Sequence, residues 1–342
     1  MSFPVERMLN VTSAPLRQLG GVRILATGSY APEQIVTNAD LASLGCDPDW
    51  IVQRTGVHER RRAPPEIATS DLAVSAAQRC LASANCPPGD VDLVIVATFT
   101  PDFPAPATAC LVQDRLGINA PAFDLNAACA GFFYALVTGM QFVSSGCARR
   151  ALVIGADTNT RVVDPRDPKI YPIFGDGAGA VLLAPGEPDQ GFLAYTLGAD
   201  GSGVDLLRMP MGGTREPPHV PGVESGRHYL WMEGRPVFKW AVRIIPQSTR
   251  EVLAAAQVTL DQVRGVILHQ ANARIIDAVA AELEIPPQKV WRNIERYGNT
   301  SAGSIPLVLD EHVRAGELRR GDLLLISGFG AGLAWGTGLL RW

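Results

Sequence analysis

No stretch of the sequence approaches the roughly 20 apolar residues that a membrane-spanning helix requires, so an integral membrane protein is not expected. The first twenty residues lack a basic segment followed by an apolar one. No secretory signal is read there, and the cytoplasm is the expected compartment. Charge is nearly balanced, with a formal net charge of −4, which offers nucleic acid no basic field. Paired cysteines are missing too. None of Cys46, Cys80, Cys86, Cys110, Cys129 and Cys147 forms a C-x-x-C motif, and the five histidines show no ligand spacing, so no metal is expected. Disulfides are not expected in a chain of this size without a secretory signal. The glycine-rich run 175–179 lacks the G-x-x-x-x-G-K-S/T pattern and leads into a strand, not a helix. A phosphate cradle is set aside, and close packing beside another backbone explains the run better.

What the sequence has is apolar mass. Of its 342 residues 47% are hydrophobic and 19% charged, enough for two domains or one large α/β unit. Residues 1–20 read as a loosely held extension. The first half, 21–190, reads as strands at 22–28, 93–97, 122–125, 151–155 and 175–183, with helices at 50–56, 70–84, ending near 117, and over 131–142. From about residue 191 the order returns. Strand 192–197 and a long helix 237–256 lead to a buried strand at 265–268, helix 271–283, a short strand near 290, helix 301–315, strand 322–327 and a final glycine-rich strand. Asp261-Gln-Val-Arg precedes the buried strand of the second half as Gly89-Asp-Val-Asp precedes that of the first. Two matching αβ halves, 21–190 and 191–342, imply a duplicated five-stranded unit, packed as layers of helices and mostly buried sheets.

Within that frame Cys129 falls where a short strand gives way to a helix, among alanines and a glycine that let a substrate approach. The unpaired amides and positive dipole end of the helix are expected to ease loss of the thiol proton. His269 stands at the C-terminal end of the buried strand 265–268, where parallel sheets bind ligands. Asn299 lies in a polar turn before a helix and occupies, in the second half, roughly the place of Cys129 in the first. If the halves pack about a pseudo-twofold axis, the two helix starts face each other with His269 between them.

The chain resembles the β-ketoacyl-acyl-carrier-protein synthase III family of thiolase-like condensing enzymes. The matching stretches are Thr27-Gly-Ser-Tyr-Ala-Pro32, Asp49-Trp-Ile-Val-Gln-Arg-Thr-Gly56, Ala128-Cys-Ala-Gly131, Phe174-Gly-Asp-Gly-Ala-Gly-Ala180, His269-Gln-Ala-Asn272, Gly298-Asn-Thr-Ser301 and Gly328-Phe-Gly-Ala-Gly332. They run in family order from about residue 22 to the C-terminus. The resemblance implies an α/β fold of five layers, α-β-α-β-α, a homodimer, and no cofactor beyond the coenzyme A and phosphopantetheine thioesters that serve as substrates. It implies Cys129 as nucleophile, His269 and Asn299 as donors to an enolate, and the N–H groups of Cys129 and Gly330 as an oxyanion hole. Trp50, Arg54, Asn272 and Arg274 match positions that meet coenzyme A or phosphopantetheine. Arg274 and Lys239 are candidate contacts for acyl carrier protein, while Ala281 and Glu282 stand where some members have lysines.

The implied reaction is a decarboxylating Claisen condensation of an acyl-CoA starter with malonyl-acyl-carrier protein, giving a 3-oxoacyl thioester for fatty-acid initiation. The alternative is a related condensing enzyme or acyltransferase of secondary metabolism with a non-acetyl starter. A non-catalytic binder of acyl thioesters would have no use for the complete Cys–His–Asn set. Ala105 and Phe329 match acyl-pocket positions. In the family a loop after the strand at 93–97 plugs the neighbouring subunit's tunnel with Phe-Pro-Ser-x-x-Cys; here Ala105-Pro-Ala-Thr-Ala-Cys110 replaces the ring with a methyl group. A starter longer than acetyl is therefore expected. Arg60-Arg-Arg62 is read as a solvated charge run.

Overall fold

The computed structural model describes residues 14–342. Strand β1 (Leu16–Gly20) runs antiparallel along the edge of a sheet built from the far end of the chain. The expected loose extension over 1–20 is corrected for these residues, and 1–13 lie outside the described residues. Only Leu19 of β1 is buried, so an exposed edge strand held by backbone bonding left no hydrophobic alternation to read.

The first sheet comprises β2 (Val22–Tyr30), β3 (Leu93–Ala97), β4 (Ala122–Leu125), β5 (Ala151–Thr158) and β6 (Asp176–Pro185), in the order β2-β6-β5-β3-β4. The second comprises β7 (Gly191–Ala199), β8 (Val263–Leu268), β9 (Val290–Trp291), β10 (Leu323–Gly330) and β11 (Ala334–Arg341), in the order β7-β11-β10-β8-β9, with β1 beyond β7. In each sheet the first three strands of that order pair antiparallel and the last three parallel. The chain therefore traces the same unit twice, passing from one sheet to the other between Pro185 and Gly191.

Parallel neighbours need helical crossovers. These are α3 (Thr108–Arg115) and α4 (Gly131–Ser144) in the first half, and α6 (Ala273–Glu282) and α7 (Ser304–Arg314) in the second; α1 (Pro48–Thr55), α2 (Thr69–Ser83) and α5 (Gly234–Ala256) complete the major helices. Where each helix sits follows from its apolar surface. Helix α4 buries Phe132, Phe133, Leu136, Val137, Met140 and Val143, nearly all of its circumference, as a helix covered on both sides must. It packs against both sheets, as does α7, while α2 and α3 cover the first sheet's outer face and α5 and α6 the second's. The layers are α-β-α-β-α. One core joins Ile95, Val153 and Val181 of the first sheet to Ile267, Leu324 and Ile326 of the second through α4. Among the described residues no helix is long and apolar enough to cross a membrane.

Arg60 corrects a surface reading. It is 3% exposed, and its guanidinium donates to the Val36 carbonyl (3.0 Å), Asn38 Oδ1 (2.6 Å) and the Pro172 carbonyl (2.8 Å). Burial lowers its pKa to about 10. Its partners come from two segments, 36–38 and 172, distant from it in the chain, which a local charge pattern cannot foresee.

Candidate active site

Cys129 and Asn299 are placed by two copies of one turn. After β4, Asn126 Oδ1 accepts the Ala128 N–H (3.0 Å), Ala128 adopts φ 46°, and a 3-10 turn Ala128–Ala130 feeds α4. After β9, Asn299 Oδ1 accepts the Ser301 N–H (2.8 Å), Ser301 adopts φ 51°, and a turn Ser301–Gly303 feeds α7. The expected equivalence is thereby corrected. Asn299 corresponds to Asn126, and the counterpart of Cys129 is Ala302. A backbone N–H can only donate, so the end of Asn299 facing Ser301 is its oxygen and the amide Nδ2 is left for the site. The Asn299 backbone is clamped from the first half: its N–H donates to the Ile173 carbonyl (2.8 Å) and its carbonyl accepts the Gly175 N–H (3.0 Å). A Cβ on Gly175 would stand 2.1 Å from the Tyr297 carbonyl oxygen, which accounts for that glycine by close backbone approach.

The two turns face each other. Ser301 Oγ donates to Cys129 Sγ across 3.3 Å, and fully buried Asp157, at the end of β5, accepts the Ala302 N–H (3.0 Å) and the Phe99 N–H (3.0 Å). Gly330 closes the third side. A Cβ there would lie 2.9 Å from the Cys129 nitrogen and 2.8 Å from its Cβ, so only glycine lets this backbone approach. The Cys129 N–H, second in its turn, has no partner within that turn. Burial pushes the Cys129 thiol up to about 12, with the Ser301 hydroxyl opposing and Asp157 reinforcing the rise. The expected lowering at a helix start is corrected: burial of the thiol outweighs the opposing hydrogen bond from Ser301.

His269 follows β8, its N–H donating to the Ser327 carbonyl (2.8 Å). Its Nδ1 lies 2.7 Å from Ser304 Oγ, and the ring packs edgewise on Phe329 with centroids 5.1 Å apart. Burial lowers its pKa to about 3, so the imidazole is neutral near pH 7. Cys129, His269, Asn299, Phe329 and Gly330 all line one cavity of ≈ 1170 Å³. A thiol, a neutral imidazole edge and a primary amide thus line one cavity.

Comparisons with known proteins place this fold in a family. The family model described as 3-Oxoacyl-[acyl-carrier-protein (ACP)] synthase III matches residues 123–201, and that for its C terminal matches 253–342. Beta-ketoacyl-[acyl-carrier-protein] synthase III of Rhodopirellula baltica is 57% identical over 342 aligned residues, covering 95% of this chain and 99% of that one. The chain belongs to the β-ketoacyl-acyl-carrier-protein synthase III family. The crystal structure of 3-oxoacyl-[acyl-carrier-protein] synthase III from Aquifex aeolicus VF5 is 44% identical, with a TM-score of 0.85 over 94% of this chain and 100% of that one. The Thermus thermophilus enzyme is 42% identical, with a TM-score of 0.87 over 93% and 98%. As a member of the synthase III family the chain is an acyl-transferring condensing enzyme.

The cavity mouth of this synthase III holds most of the remaining candidates. Trp50 and Arg54 line it from α1, with the Arg54 guanidinium 5.7 Å from the Trp50 ring. Arg274 lines it from α6, its guanidinium 6.0 Å from the Phe238 ring. Asn272 also lines it, yet both polar ends of its side chain hold backbone: Oδ1 accepts the Arg274 N–H (2.8 Å) and Nδ2 donates to the Arg54 carbonyl (3.1 Å). It thus fixes α1 against α6. Lys239 is exposed on α5 outside the cavity, and Ala105 is exposed on its loop, also outside it. The sequence reading missed Ser301, Ser304, Asp157 and the half-exposed Trp231 at the mouth. For the two serines a signal was available in their i, i+3 spacing after Asn299, which places both at one helix start.

Proposed function

We propose that Cys129, His269 and Asn299 carry out a two-stage condensation that opens fatty-acid synthesis. The Cys129 thiolate attacks the carbonyl of an acyl-CoA starter, the coenzyme A thiolate leaves, and the oxyanion formed on the way is held by the N–H groups of Cys129 and Gly330. Malonyl-acyl-carrier protein then enters the same cavity. Its C–C bond to the carboxylate breaks, carbon dioxide departs, and the electron pair becomes an enolate whose oxygen accepts hydrogen bonds from His269 and Asn299. The enolate carbon attacks the acyl-cysteine, Cys129 leaves as thiolate, and a 3-oxoacyl thioester remains on the carrier protein. A neutral donor suits the enolate because it stabilises the charge without surrendering a proton, and water expelled by the bound substrates cannot protonate the carbanion.

The observation carrying this reading is the convergence of the Cys129 thiol, the free edge of the His269 ring and the free Asn299 amide on one cavity. Trp50, Arg54 and Arg274 receive coenzyme A and phosphopantetheine at the mouth, and Arg274 with Lys239 meets the acidic carrier protein. The enzyme acts in the cytoplasm as a homodimer without a resident cofactor. Ala105 and exposed Phe103 belong to the loop that enters the neighbour's acyl tunnel. Incubation with radiolabelled acyl-CoA tests the scheme: the label is expected on Cys129 and is chased into a 3-oxoacyl product by malonyl-carrier protein. Label on another residue, or label that malonyl-carrier protein cannot chase, would overturn it.

A further inference from the structure

We propose that Ser304 is a positioning residue whose hydroxyl holds His269 in the Nε2–H tautomer, so that the free edge of the ring presents a proton to the enolate. The inference rests on His269 donating to that enolate. Ser304 is the first residue of α7 and is 1% exposed. A serine at a helix start ordinarily caps the helix, but the Ser304 side chain makes no such bond. Its oxygen lies 2.7 Å from His269 Nδ1 and accepts the Gln270 N–H at 3.3 Å.

A hydroxyl has one proton and two lone pairs. One lone pair of Ser304 faces the Gln270 N–H. Among the described residues His269 Nδ1 is the only acceptor within reach of the hydroxyl proton. An unsatisfied hydroxyl in so buried a place is costly, so the proton goes to Nδ1. Nδ1 must then be the bare nitrogen of the neutral ring, and Nε2 carries the hydrogen. The opposite tautomer would leave the Ser304 proton unpartnered and present a lone pair to a developing negative charge.

The duplication supplies an internal control. The residue matching Ser304 in the first half is Gly131, where an added Cβ would meet only ordinary contacts, the nearest at 3.4 Å. The repeated backbone therefore does not demand a hydroxyl at this position. It is present only in the half that carries the histidine.

The test is nitrogen NMR of the full-length enzyme with ¹⁵N-labelled histidine, the His269 signals being identified by their loss in His269→Ala. The expected spectrum shows a protonated Nε2 and a bare Nδ1. In Ser304→Ala the ring becomes a mixture of tautomers, and malonyl decarboxylation falls about tenfold, more than self-acylation does. A protonated Nδ1 in the unmutated enzyme would overturn the inference, and so would an unchanged tautomer with unchanged decarboxylation in Ser304→Ala. Should that variant fail to fold, the spectrum of the unmutated enzyme still decides. Decarboxylation at the wild-type rate by His269→Ala would instead remove the catalytic reading beneath it, whatever the tautomer.

Discussion

The turn before α4 and the turn before α7 have the same backbone and opposite chemistry. Both begin with an asparagine oxygen on the N–H two residues on, and both pass through a left-handed residue, Ala128 or Ser301, before the helix starts. In the first half the next residue is Cys129 and the rest of the turn is small and apolar. In the second half that position is Ala302, and around it Asn299, Ser301 and Ser304 supply an amide and two hydroxyls. The two equivalent scaffolds face each other and carry different side chains, a thiol on one and an amide with two hydroxyls on the other; in the function proposed above this separates the nucleophile from the hydrogen-bond donors. Asp157 joins them, since it belongs to the first half and holds the Ala302 N–H of the second.

That division can be broken from either side. Gly330→Ala drives a methyl group to within 2.8 Å of the Cys129 Cβ and displaces one N–H of the proposed oxyanion hole. Acyl-enzyme formation, followed by intact-protein mass, is expected to fall about 10³-fold, the upper range for losing such a donor. Asn299→Asp attacks the donor half with less disturbance, because its carboxylate still accepts the Ser301 N–H but has no amide to donate. Malonyl decarboxylation, measured as carbon dioxide release, is expected to fall about 10²-fold; a wild-type rate would remove Asn299 from the enolate site.

pH separates the halves without mutation. Since burial holds the Cys129 thiol near a pKa of about 12, its thiolate fraction rises with pH throughout the working range. Self-acylation is expected to climb about tenfold per pH unit from roughly pH 6 to 9 without a plateau. His269, lowered to about 3, stays neutral over the same range and contributes no inflection to decarboxylation. The smallest effect concerns the starter. Ala105→Phe is expected to shift preference towards acetyl-CoA by about fourfold for each methylene excluded, from roughly 0.8 kcal/mol per buried CH₂, as read from kcat/KM across an acyl-CoA series. Acetyl preference in the unmutated enzyme would contradict it.

The alternation of strands and helices, the duplication and the three groups at strand ends were legible because each rests on local pattern. Cys129 stands at a strand-to-helix change and His269 at the end of an apolar run. What was not legible depends on partners distant in the chain. Strand β1 pairs with β7, whose sequence lies far downstream, and it buries one side chain only. The thiol pKa was misjudged because a helix start is visible in sequence and burial by two sheets is not. Arg60 looked solvated beside two other arginines, although the segments at 36–38 and 172 enclose it. Ser301 and Ser304 fall inside the helix expected over 301–315, and only the packing of that segment against Cys129 and His269 gives them a use in the site. The offset between Cys129 and Asn299 shows the limit of aligning halves by element: the turns match residue for residue, but the reactive positions do not.

The division of labour is tested most directly by measuring both half-reactions in Cys129→Ala and His269→Ala side by side. The account predicts that Cys129→Ala takes no label from radiolabelled acyl-CoA yet still releases carbon dioxide from malonyl-carrier protein, and that His269→Ala does the reverse. Parallel loss of both half-reactions in both folded variants would contradict it.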